Sequence, residues 1–115
     1  MPAKKIKVVF YCGEGGAEPV REWLKTLGRT DRKAIGDDIR VVEFGWPIGM
    51  PVCRPLGQGL YEVRTTLRNR IARTLFAIVD GEMVLLHGFI KKTQVTPRSD
   101  LDIARTRLKA YRRYT

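Results

Sequence analysis

"RIARTLFAIVDGEMVLLHGFIK", Arg70 to Lys91, decides the fold. Two runs rich in Val, Ile, Leu and Phe flank the dipeptide Asp80-Gly81. Asp and Gly both tolerate the positive φ angles that a two-residue hairpin turn requires. The stretch therefore predicts antiparallel strands over 70–79 and 82–91. Counting out from the turn pairs Val79 with Glu82, Arg73 with Gly88 and Thr74 with His87. Upstream, Leu60 to Thr66 reads as a further strand, with TTLRN (65–69) leading into the hairpin. "WPIGMPVCRPLGQG", Trp46 to Gly59, carries three prolines and three glycines and reads as a loop.

The N-terminal part has a different period. Lys5 to Tyr11 reads as a strand, broken by Gly13, Gly15 and Gly16. Those glycines lack the lysine and hydroxyl spacing of a phosphate-binding loop. Ala17 to Leu27 predicts a helix, with Pro19 in its first turn and Val20, Trp23, Leu24 and Leu27 on one stripe. Gly28 stops it. A second helix starts from a Thr30 or Asp31 cap and ends at Gly45, burying Ala34, Ile35, Ile39, Val41 and Val42. The short Gly28-Arg29 link predicts a helix hairpin. Gly36 falls inside the second helix with no local reason in the sequence. The last helix opens on Thr96 as N-cap and Pro97 as first helical residue. Asp100 and Asp102 lie near its positive end, and Lys109, Arg112 and Arg113 near its negative end. Leu101, Ala104, Leu108 and Tyr111 form its apolar stripe, opposite Arg98, Arg105 and Lys109. The predicted order is β-α-α-β-β-β-α. This is an α+β single domain over 1–115, with a small, mainly antiparallel sheet, an N-terminal helix hairpin and a C-terminal helix.

Charge is concentrated in the second half. The net charge is +10, of which residues 1–53 supply +2 and residues 54–115 supply +8. Such an imbalance points to a polyanionic partner: nucleic acid, an anionic surface or an acidic protein. No apolar run approaches the roughly 20 residues that span a bilayer. The basic then apolar start is interrupted by Lys7 and is too short for a signal peptide. The expectation is a cytoplasmic protein that needs no membrane. Cys12 and Cys53 share no metal-ligand spacing, and His87 is the only histidine. Reduced thiols are expected, with no metal site and no cofactor.

Sheet arithmetic sorts the polar residues into two groups. If Arg64 pairs with Arg70, then Glu62, Arg64, Arg70, His87 and Lys91 share one face. Tyr61, Arg73 and Lys92 share the other. A one-residue slip or a bulge exchanges these memberships, so both arrangements stay open.

With that element order, the chain resembles the RelE/HigB-like toxins of bacterial toxin–antitoxin systems, most closely their phage-derived HigB-like branch. "PLGQGLYEVR" (55–64), "IARTLFAIVDG" (71–81) and "LLHGFIKKTQVTP" (85–97) carry the resemblance, in this order and at this spacing. It implies a RelE-like microbial ribonuclease fold and cleavage of mRNA, usually on the ribosome. It also implies a helix-turn-helix antitoxin as partner. By position, Arg73 matches a strand arginine that contacts the scissile phosphate in some relatives. Arg64 matches a basic position on the preceding strand. Lys91 and Lys92 stand where relatives carry catalytic His, Tyr or Arg. The Lys-Lys pair replaces the His-Tyr, or the Arg with a later Tyr, of better-known toxins, which leaves the general acid open.

The chemistry narrows the roles. A metal-independent ribonuclease must deprotonate a 2′-hydroxyl, neutralise charge on the phosphate and protonate the departing 5′-oxygen. A single histidine excludes a two-histidine mechanism. Arginine binds two phosphate oxygens at once and stays charged, whereas a protonated lysine can serve as general acid. The candidate catalytic residues are therefore Arg73, Lys92, Lys91, Arg64 and His87. Arg54, Arg68 and Arg70 are expected to steer RNA by charge, and Tyr61 to stack a base. Each has a structural alternative: His87 bonded to a carbonyl, Arg73 or Arg64 paired with an acid, Tyr61 in the core. Two rival functions fit the same charge: a non-catalytic RNA- or ribosome-binding module, and a protein whose basic face receives an acidic partner.

Overall fold

The Asp80-Gly81 hairpin forms as the sequence predicts. Asp80 (φ 50°) and Gly81 (φ 77°) take left-handed conformations, and Val79 pairs with Glu82. The structure, a computed structural model, describes residues 5–91 and 95–113. Its elements are β1 (Lys7–Phe10), α1 (Pro19–Lys25), α2 (Arg29–Gly45), β2 (Cys53–Gly57), β3 (Leu60–Leu67), β4 (Arg70–Val79), β5 (Glu82–Lys91) and α3 (Arg98–Arg113). They build an α+β domain around one five-stranded sheet of order β1-β5-β4-β3-β2. Strands β2 to β5 form an antiparallel meander, and β1 lies parallel to β5 at the far edge.

Several expectations need correction. First, the stretch read as a loop contains β2. Pro55 is compatible with a strand here because β2 is an edge, where an absent N–H need not break a ladder. Second, β3 runs to Leu67, so the turn to β4 is only Arg68-Asn69, with Asn69 at φ 62°. Arg64 therefore pairs with Arg73, not Arg70. Third, the β4–β5 ladder shifts by one residue between Leu75 and Phe76. Phe76 faces Leu85 but Leu75 faces His87, so Leu86 is the extra residue of a bulge. Fourth, neither expected helix cap acts as one. Gly28 is the N-cap of α2, and Asp31 pairs with Arg70 instead. The Thr96 hydroxyl donates to Glu62 rather than closing the first turn of α3.

The sheet buries both faces. Helices α1 and α2 cover one, with Val20, Ile35, Ile39 and Val42 packed on Val63, Phe76, Met83 and Leu85. Helix α3 covers the other, with Ala104 and Leu108 against Leu60, Leu75, Val84 and Leu86. Ile35, Ile39 and Val42 sit at the i, i+4, i+7 spacing of one helical stripe. Val41 falls off that stripe and is 42 % exposed, unlike the expectation for it. Among the described residues, no helix is long and apolar enough to cross a membrane.

Two glycines show how tightly sequence and packing are tied. A Cβ at Gly88 would lie 2.2 Å from the Trp23 ring, so the indole of α1 sits flat on the β5 backbone. Gly88→Ala should cost about 2–3 kcal/mol through overpacking, seen as a lowered melting temperature. Adding Trp23→Leu should recover part of that loss, a coupling that a double-mutant cycle measures. Gly36, by contrast, faces open space and has no positive φ. Gly36→Ala should raise stability by about 0.5–1 kcal/mol in a chemical denaturation curve, because it removes backbone entropy from the unfolded chain.

Candidate functional site

The two register changes decide which charges meet. Each is an odd shift, and an odd shift moves a strand's side chains to the opposite face. Together they place Glu62, Arg64, Arg73, His87 and Lys91 on the face covered by α3. Tyr61 and Arg70 go to the other face. Tyr61 stacks on Phe76 and meets Trp46 edge-on, inside an aromatic cluster. Arg70 bonds Asp31 on α2. Arg68 is exposed in the β3–β4 turn, at the same end of the sheet as Lys91. Lys92 lies outside the described residues.

Glu62 is the centre of the group. Its side chain is fully buried. Its Oε1 is 3.8 Å from Nε of both Arg64 and Arg73, and its Oε2 accepts the Thr96 hydroxyl proton. Arg73 is itself fully buried, and burial lowers its pKa, opposed by Glu62 and reinforced by the nearby Arg64 and Arg54. A buried guanidinium with two further arginines beside it strongly requires negative charge. Arg64 keeps 18 % of its side chain exposed, so it can reach solvent while its Nε lies beside Glu62. Arg54 pairs with Glu62 across β2 and β3, which puts it on the same face. Below the sheet's edge, burial and the charge of Glu62 push the Cys53 thiol up to about 11, which marks it as inert.

A second cluster joins β5 to α3. His87 Nε2 donates to Asp100 at 2.7 Å, and Lys91 Nζ donates to the other oxygen of Asp100 at 3.0 Å. Arg107 Nη1 donates to the carbonyl of Leu86 at 2.7 Å, satisfying the bulge, and lies 3.5 Å from His87 Nδ1. Both ring nitrogens of His87 are thus engaged. The ring also stacks on Phe89, whose face receives the Lys91 ammonium 5.6 Å from its centroid. His87 is held as a structural link, while Lys91 stays 43 % exposed at the mouth. Burial tends to raise the Asp100 pKa, but hydrogen bonds and charge from His87 and Lys91 outweigh it and leave the net shift downward.

Sequence reasoning found Arg64, Arg73, His87 and Lys91 but not what organises them. The sequence marks Asp100 only as a dipole partner and Thr96 only as a cap. The available signal was the face of α3: Asp100, Ala104, Arg107 and Tyr111 recur at helical spacing, so two charges share a side with a buried alanine. Such charges need partners on the sheet.

The depressed Asp100 pKa gives a signed prediction. Its contribution to stability is complete above the unfolded value near 3.8 and is lost as pH falls through the lower folded value. Asp100→Asn should therefore cost on the order of 2 kcal/mol at neutral pH. The gap to the parent chain should close as the pH is taken below that range, as read by denaturation curves at each pH.

Among curated proteins the chain has no match. A family model described as phage-derived protein Gp49-like (DUF891) matches residues 22–109, from α1 to near the end of α3. That span contains every residue of both clusters, and the chain belongs to this Gp49-like family, a toxin-like family related to the RelE-type toxins.

Proposed function

We propose that this chain is the toxin of a toxin–antitoxin pair, of the HigB-like branch, and a metal-independent endoribonuclease that cleaves mRNA on the ribosome in the cytoplasm. One observation carries the reading: Arg54, Arg64, Arg73 and Lys91 share one sheet face, where Glu62 lies beside Arg64 and Arg73, and Asp100 of α3 pairs with Lys91, while the other acid of that face, Glu82, lies at the Asp80-Gly81 end and bonds Tyr111. The excess positive charge suits a phosphodiester. Lys91 is exposed and Arg64 half-buried, on the strands either side of Arg73, with strands about 5 Å apart.

In this reading Arg64 binds the non-bridging phosphate oxygens. The 2′-hydroxyl gives up its proton to solvent water, its oxygen attacks phosphorus, the bond to the 5′-oxygen breaks, and a 2′,3′-cyclic phosphate and a 5′-hydroxyl result. Lys91 gives a proton of its ammonium group to the departing 5′-oxygen, with Lys92 as the neighbouring alternative. Arg73 and Glu62 act beneath them as positioning residues that fix Arg64. His87 holds the Lys91 end of β5 to α3 through Asp100. A helix-turn-helix antitoxin would silence the site by covering the same cations.

The full burial of Arg73 and the double engagement of His87 favour one rival, a non-catalytic RNA- or ribosome-binding protein of the same fold. Induced expression followed by primer extension separates the two. The toxin reading expects growth arrest with new 5′ ends within coding regions. It expects Arg64→Ala and Lys91→Ala, singly or with Lys92→Ala, to reduce cleavage about 100-fold or more, the scale of a lost acid or phosphate ligand. Arrest without new 5′ ends, unchanged by these substitutions, would establish the rival.

A further inference from the structure

The basic face does not stop at Glu62. A cleft of about 280 Å3 opens between α3 and the β2–β3 turn, lined by Gln58, Arg105, Leu108, Lys109 and Arg112. Three of its five lining residues are cations and none is a carboxylate. Its shape is built by the backbone. Gly57 (φ 92°), Gln58 (φ 54°) and Gly59 (φ 81°) all take positive φ, and this left-handed turn forms one wall of the cleft beside Gln58. A Cβ at Gly59 would come within 3.3 Å of Arg112 Nη2, so the glycine leaves room for the guanidinium to fold over the turn. Arg105 Nε is buried and has no hydrogen-bond partner among the described residues. That nitrogen is closed to water and to a phosphate oxygen alike, but Arg105 as a whole is half-buried and lines the cleft, so a ligand there would meet the rest of its side chain.

The cleft and the first cluster are on the same side of the sheet. Arg54 on β2 and Arg64 on β3 share the α3 side of the sheet, and Leu56 between Arg54 and the turn packs into the α3 core. Arg54 and Arg64 thus lie on the side of the sheet that α3 covers, and Arg105, Lys109 and Arg112 lie on α3 itself. An apolar protein segment would find only Leu108 to cover, whereas a chain of phosphates finds repeated cations and one amide for a ribose hydroxyl.

We infer that the cleft between α3 and the Gly57-Gln58-Gly59 turn is a second phosphodiester seat, holding the RNA strand outside the Glu62 cluster. The inference rests on the RNA reading above. Arg105 and Arg112 take phosphate oxygens, Lys109 adds charge at the rim, and Gln58 hydrogen-bonds the sugar-phosphate backbone. The contacts carry no base identity, so the seat sets affinity and the path of the strand, not sequence preference.

The test is fluorescence anisotropy with a labelled single-stranded RNA of about twelve nucleotides, titrated at several salt concentrations. Each phosphate contact on a single strand contributes roughly 0.7 to the slope of log affinity against log salt. Arg105→Gln with Arg112→Gln should flatten the slope by about 1.4, and Lys109→Gln alone by up to about 0.7. Lys25→Gln with Arg32→Gln, an equal charge loss on exposed positions of α1 and α2, should leave the slope unchanged. Equal flattening by both double variants, or by neither, would overturn the seat and leave the RNA reading standing. So would an unchanged RNA slope with lost binding to polyglutamate, which would make the cleft a seat for an acidic protein. If the parent chain binds no RNA at low salt, both the seat and the reading fall.

Discussion

A carboxylate closed off from water between two guanidinium groups governs the rest of the molecule. Glu62 sits where β3 crosses beneath the start of α3, and every oxygen of it is within reach of a positive group or a hydroxyl. Removing a carboxylate from water is costly, and so is removing Arg73. Neither burial is tolerable alone. The β3–β4 register, the path into α3 and the exposed end of Arg64 all have to agree with this contact. The same constraint explains why a small sheet devotes its middle strand to an arginine instead of an apolar side chain. The gain is placement: a charge held by a rigid sheet presents a ligand with a defined position rather than a mobile one.

The parts of the fold set by local rules were legible. Asp80-Gly81 determined a hairpin whose strand limits match the structure at both ends, and the α1 and α3 stripes follow helical spacing. The parts set by tertiary pairing were not. Three prolines concealed β2, because a strand signal weighs proline as a breaker while an edge strand tolerates it. The parallel partnership of β1 with β5 joins segments seventy-odd residues apart, beyond any local rule.

The site was legible as an inventory rather than as an arrangement. Arg64, Arg73, His87 and Lys91 could be named because cations and a histidine interrupt apolar strands. Their division between two faces stayed open, since one bulge at Leu86 and one shorter turn at Arg68-Asn69 each change parity. A bulge leaves no dependable mark in a single sequence. Here its marker lies elsewhere, in Arg107, whose guanidinium serves the Leu86 carbonyl from a different element. Lys92, the neighbour of Lys91, stands outside the described residues.

The two borders of the sheet have a consequence of their own. An unpaired strand border is a template on which another copy can add a strand. Here one border, β1, is only four residues long and carries an exposed Lys7. The other, β2, contains Pro55 and loses register before Gly57. Brevity, charge, proline and irregularity each spoil the regular row of donors and acceptors that such growth requires. The prolines that hid a strand from the reader of the sequence also help hide it from other copies of the chain.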